Sequence, residues 1–123
     1  FDAPVQAERR QTGCVRFSYV PAGSAVPRRY RCQPDLEIAA RGAALRAEIR
    51  ASLRPLFVSR VYGDPGFGQL ETRCAVQLRM GAESGAEMGA FEFLHQPQRE
   101  ANLRGALDEY LRFGLEASLI FVT

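Results

Sequence analysis

The chain reads as an α+β domain with a mostly antiparallel sheet and one or two amphipathic helices. Three observations carry that expectation. Apolar and polar side chains alternate around Val15, Phe17 and Tyr19, leucines recur at three- and four-residue spacing in two segments, and stretches rich in Gly and Pro separate these runs. At 123 residues, 1–123 is expected to be a single domain with one core.

The alternation over 13–20 predicts a half-buried strand, and Val5 and Ala7 an earlier edge strand. Pro21 to Pro27 predicts a loop, because two prolines remove ladder donors and Gly23 favours a turn. Arg28, Arg29, Tyr30, Arg31 and Cys32 form a short basic segment, extended in this reading, which stops at Pro34. From Asp35 the composition turns helical. Leu45, Ile49 and Leu53 share one face and Pro55 ends the run, which predicts a helix over 43–53. Leu56 to Tyr62 gives a second strand candidate, 63–68 a turn, and 70–80 fits helix and strand equally. Gly81, Gly85 and Gly89 mark a mobile loop around Met80 and Met88. Pro97 opens a helix over 98–113, with Leu103, Leu107, Tyr110 and Leu111 expected to pack on a sheet containing Phe17 and Phe121. Glu100–Arg104 and Asp108–Arg112 support it as i,i+4 pairs, Gly114 stops it, and Leu119 to Val122 reads as a buried last strand.

Sixteen basic residues are all arginine, so Schiff-base chemistry, a phosphate-loop lysine and a lysine general base are excluded. The scarcity of Lys and of Asn, present only as Asn102, matches the bias of a GC-rich coding sequence. Residues 1–60 carry net +6 and 61–123 net −4, an asymmetry expected to be resolved by pairing between the halves, with a basic face meeting an acidic partner as the sharper alternative. No apolar run approaches the ~20 residues that span a bilayer, and no membrane partner is expected. The opening Phe1-Asp2-Ala3-Pro4 lacks Met and a leader, so the chain is expected to be a piece of something longer. A bacterial cytoplasm is the expected compartment, with secretion left open.

Candidate chemistry is sparse. Cys14, Cys32 and Cys74 lack the spacing of a zinc site; they read as reduced, buried thiols, with a Cys14–Cys32 disulfide open if the chain is secreted. His95 is the one histidine, and Glu92-x-x-His95 is half of a di-iron pattern, so no metal and no cofactor are expected. The turn 63–68 lacks the Gly-Lys-Ser/Thr of a phosphate loop. Asp108 and Glu109 are explained by helical arginines rather than by glycosidase chemistry. The cluster Arg28, Arg29, Tyr30 and Arg31 is the candidate interaction site. Guanidinium groups around an aromatic grip phosphates and stack on bases, yet the charge is nearly balanced, so an acidic protein face or acids within the chain, those of 83–92 among them, are the expected targets.

The runs Gln11 to Pro21, Pro27 to Pro34 and Pro97 to Leu103 through Glu109 to Gly114 resemble the C-terminal region of large bacterial proteins of unassigned function. The resemblance implies β-rich, repeat-like sequence upstream, with Val5 to Arg10 as its last rung and 1–12 the end of that region; 36–54 looks short or divergent against it. It implies no catalytic residue. The functional expectation is a non-enzymatic structural or protein-interaction module whose partner is its own upstream repeats or another subunit, a homo-oligomer included. An Arg-rich module for anions or single-stranded nucleic acid is one alternative, and a small enzyme using a Cys/His site is another.

Overall fold

The computed structural model describes residues 3–120. Its N-terminal third is a pair of stacked coils. Strand β1 (Cys14–Arg16) lies beside β2 (Arg28–Tyr30) in parallel, with Cys14 opposite Arg28, Val15 opposite Arg29 and Arg16 opposite Tyr30. Parallel bridges extend the contact beyond the strands: Tyr19–Gln33 keeps the register of the pair, whereas Gln6–Ala25 stands in a different register, with the longer segment 7–13 facing 26–27 between it and the strands. Immediately after each strand the chain turns through a non-glycine left-handed residue, Phe17 at φ 44° and Arg31 at φ 49°. The register places these two corners one above the other. Past the corner the pairing resumes, with the Gln33 amide donating to the Ser18 carbonyl at 3.0 Å and the Val20 amide to the Gln33 carbonyl at 2.8 Å.

The first coil closes on itself at Pro21 to Ser24. The Ser24 amide donates to the Pro21 carbonyl at 3.3 Å, and the Ser24 hydroxyl accepts the Val5 amide at 3.1 Å. The loop seen in the sequence at 21–27 is thus the step from one coil to the next. The Ala25 amide then donates to the Val5 carbonyl at 2.9 Å, and the Ala7 amide to the Ala25 carbonyl at 2.8 Å, which starts the second coil directly on the first.

Helices follow. Helix α1 (Asp35–Arg41) begins after Pro34 with Asp35 and Glu37 in its first turn, where carboxylates meet the positive end of the peptide dipoles. It stops at Gly42, whose φ of 100° suits glycine and lets its amide return to the Ile38 carbonyl at 2.9 Å. A 3-10 turn (Ala43–Leu45) leads into α2 (Arg46–Ser52), and Pro55 prevents continuation. Ile38, Ile49 and Leu53 form one apolar cluster between these two helices, with Ala75 against it. Residues 56–70 form a loop held by single bridges, Phe57–Leu70 antiparallel and Ser59–Phe67 parallel. The short helix α3 (Val76–Arg79) contributes Leu78 to a second cluster with Cys74 and Met88, on which Tyr19 and Leu70 pack. Tyr19 therefore fastens the coils to the helical part. After a 3-10 turn (Glu92–Leu94), α4 (Gln96–Tyr110) closes the fold with Pro97 in its first turn.

The expectation of a mostly antiparallel sheet is overturned, because the only sheet among the described residues is the parallel pair β1–β2. Alternation reports a half-buried extended chain and is silent on direction; direction is set by the connection. Residues 17–27 turn a corner and step back, so β2 starts level with β1 rather than returning along it. The strand expected at 13–20 is cut at Phe17 by the corner. The helix expected over 43–53 is present as the 3-10 turn plus α2 with Ile49 and Leu53 buried, but Leu45 is exposed. The stripe of α4 does not enter the core: Leu103 and Tyr110 are exposed, and Leu107 and Leu111 are half-buried. No strand forms at Leu119–Ile120, so the helix has no sheet to meet there; Phe121 and Val122 lie outside the described residues. Residues 81–89 form a loop, but its inner side is core: Ala86, Glu87 and Met88 are buried.

Candidate functional site

The basic segment Arg28, Arg29, Tyr30 and Arg31 occupies β2 and its corner, and strand geometry divides it. Arg29 points inward. Its Nη1 reaches Asp35 Oδ2 at 2.8 Å and its Nη2 donates to the Ser24 carbonyl at 2.9 Å, so one guanidinium ties the second coil to the start of α1 and to the step between coils. Arg28 is exposed. Tyr30 stands on the outside at 45% exposure, edge-on to Phe17 at 5.7 Å, with the guanidinium of Arg16 5.2 Å and that of Arg31 5.9 Å from its ring centre. These are cation–π contacts of modest, exposed strength. The acids of 83–92 meet a different arginine: Glu83 pairs with Arg16 at 3.5 Å. Arg16–Glu83 crosses between the oppositely charged halves, whereas Arg41–Glu37, Arg73–Glu71 and Arg79–Glu100 stay within one half.

The Cys/His pairing is not assembled. Cys14 is exposed and Cys32 and Cys74 are buried, all as free thiols. Their sulfurs face carbonyls, those of Cys14 and Cys32 toward Val15 and that of Cys74 toward Arg54. His95 is an exposed left-handed residue at the start of α4. Glu92 accepts from the Ser84 hydroxyl at 2.8 Å. Among the described residues no group of three His, Cys, Asp or Glu side chains converges, and no helix is long and apolar enough to cross a membrane.

A concavity lies elsewhere, between α4 and the segments 69–72 and 79–87. This cleft of about 670 Å³ has apolar walls from Val58, Leu70 and Leu103, and Glu87 lines it although only 3% of that residue is exposed. Burial pushes the Glu87 carboxyl above the usual carboxylate range, against a backbone hydrogen bond from Leu70 and the field of Arg79, which both pull it down. Arg79 is spent on its neighbours: Nη1 donates to the Thr72 carbonyl at 2.9 Å and Nη2 pairs with Glu100 at 3.5 Å. Glu100 also takes Arg104 at 2.9 Å, the i,i+4 pair legible in the sequence. Sequence reasoning missed Glu87. The available signal was an acid set between Ala86 and Met88 in a glycine-punctuated run, a polar residue in an apolar triplet.

Comparison with family models, with curated proteins and with solved structures finds no match to this chain.

Proposed function

We propose that the chain is a structural, protein-interaction module that ends a stack of short parallel coils and receives a further extended segment on the open edge of its first coil. The observation that carries this reading is the repeated geometry of 14–19 and 28–33: strand, left-handed corner, then resumed pairing, in parallel register throughout. Parallel pairs are ordinarily covered on both sides and belong to larger arrays, and stacked repeats gain their stability from neighbours. Two coils alone leave two outer edges, one on each coil.

The ladder geometry supports the edge of the first coil as the receiving one. Where Gln6 faces Ala25, the bonds run through Val5 and Ala7, so the amide and carbonyl of Gln6 point the other way. Where Arg16 faces Tyr30, the Phe17 amide takes the Tyr30 carbonyl at 3.1 Å, and the Arg16 amide likewise points outward. The Arg16 carbonyl is capped by the Ser18 hydroxyl at 2.8 Å, which shortens the edge. On the far side, the second coil is held down by Arg29–Asp35 and runs directly into α1, so additions are directed to the first coil. Strand addition supplies affinity through main-chain bonds.

The test exploits donor direction. Gln6→Pro and Arg16→Pro remove the outward amides, together with the Gln6 side-chain bond to the Gly23 carbonyl and the Arg16–Glu83 pair, whereas Ala7→Pro and Phe17→Pro remove main-chain bonds within the pair. Amide exchange at Gln6 and Arg16 is measured in the free chain over a concentration series and in the natural full-length product. Protection in either setting supports the reading when that of Arg16 is abolished by Gln6→Pro, or that of Gln6 by Arg16→Pro, while the fold persists. Unprotected exchange at both positions in both settings overturns it.

A further inference from the structure

We propose that the cleft under α4 binds a small organic cation, an alkyl or aralkyl ammonium or guanidinium, whose charged head reaches Glu87 and whose apolar stem lies against Leu70, Leu103 and Ile120. This goes beyond the coil edge and does not depend on it. A cleft of about 670 Å³ is within the range of small-molecule sites, and its walls are the usual mixture of apolar surface with few polar groups.

The polar groups decide the ligand's charge. Glu71, Arg79, Glu87, Arg99 and Glu100 line the cleft. Glu71 is paired with Arg73 at 3.0 Å, and Arg79 and Glu100 are engaged with each other, with the Thr72 carbonyl and with Arg104. Arg99 is exposed at the rim and opposes a cation only there, across solvent. Glu87 is the buried one, and its contacts are the Leu70 amide and the field of an arginine already bound elsewhere. A carboxyl in that position lacks a close cation to hold its charged form. A cationic head supplies it, while an anionic ligand would have to displace Glu100 from Arg79.

Binding is therefore coupled to ionisation. Burial favours the protonated form of Glu87 and a cationic head favours the carboxylate, which accepts hydrogen bonds from the ligand's N–H groups; a proton held beforehand passes to the buffer. No other bond is made or broken.

The experiment is calorimetric titration of the intact chain with phenylbutylammonium, with the alcohol and the carboxylate of the same skeleton as controls. The ammonium is expected to bind about tenfold or more tighter than the alcohol. Glu87→Gln should lower ammonium affinity by about the same factor and leave the alcohol unchanged. Leu103→Trp, made at an exposed position of α4, should weaken both by narrowing the cleft, which keeps the test open if the Gln variant fails to fold. Equal binding of ammonium and alcohol, preference for the carboxylate, or no binding of any of the three overturns the proposal.

Discussion

Replacing Leu78 by Ala should cost about 3–4 kcal/mol, a large share of the ~5–15 kcal/mol available to a domain of this kind. Leu78 is 1% exposed and sits between Cys74 and Met88, with Tyr19 and Leu70 against it. The substitution removes three buried carbons, worth about 2.4 kcal/mol at ~0.8 per methylene-sized group, and leaves a cavity whose walls relax only in part, which adds about 1 kcal/mol or more. The companion variant is Leu107→Ala in α4, where the side chain is only half-buried and the helix contributes no buried residue; it should cost about 1 kcal/mol or less. Urea denaturation followed by circular dichroism reads both as midpoint shifts at constant slope. Equal losses for the two variants, or a larger one for Leu107, would show that α4 forms the core and that the cluster around Leu78 does not.

Further outcomes follow from close approaches, burial and charge. A Cβ on Gly81 would run into the Gln77 carbonyl and lie 2.6 Å from the Met88 methyl, so Gly81→Ala should destabilise by at least about 1–3 kcal/mol, whereas Gly105→Ala, in open space inside α4, should stabilise by about 1 kcal/mol; thermal melts separate the two signs. Because burial raises Glu87 above its ordinary 4.5, the folded state holds this proton where the unfolded chain has lost it. The stability it contributes is complete below that ordinary value and is lost as pH rises through the raised one, and Glu87→Gln should flatten that decline in a urea series across pH. A thiol reagent should label Cys14 in the native protein well before Cys32 and Cys74, which require opening of the fold; mass spectrometry of partly labelled protein reads the order. Removing Arg29 by Ala should loosen the second coil through loss of both the Asp35 pair and the Ser24 carbonyl bond, seen as faster amide exchange at Ala25 and Tyr30, while Arg28→Ala should leave those amides unchanged.

How much of this was legible depends on the range of the interaction. Local signals held where one residue decides: Pro55 follows the end of α2, Pro97 opens α4, and Glu100–Arg104 forms as an i,i+4 pair. What failed was non-local. The direction of β2 depends on where a loop deposits the chain, and the equivalence of Phe17 and Arg31 as corners is a conformational match between dissimilar side chains. The leucine spacing of α4 describes a stripe, but whether a stripe is buried depends on a surface opposite it, and the strand expected to provide one does not form at Leu119–Ile120. At the site, Arg29 was visible as one of several arginines, yet only the alternation along β2 shows it turned inward while Tyr30 faces out. Glu87 was hidden because glycine-rich composition suggests exposure, whereas small residues also permit a chain to lie tightly against a core.

The coils have a consequence for how such a chain varies in length. Their pairing is written mainly in main-chain hydrogen bonds and in a corner that Phe and Arg both adopt, so a further coil requires a matching path more than a matching set of side chains. Insertion of a whole coil ahead of residue 5 would preserve every contact from Tyr19 onward, including the anchor on Leu78 and Met88, and would change only the height of the stack. A shift by part of a coil would instead move the corners out of line, and the penalty would fall on the whole ladder at once. Length should therefore change in coil-sized steps, with the helical part carried along unaltered.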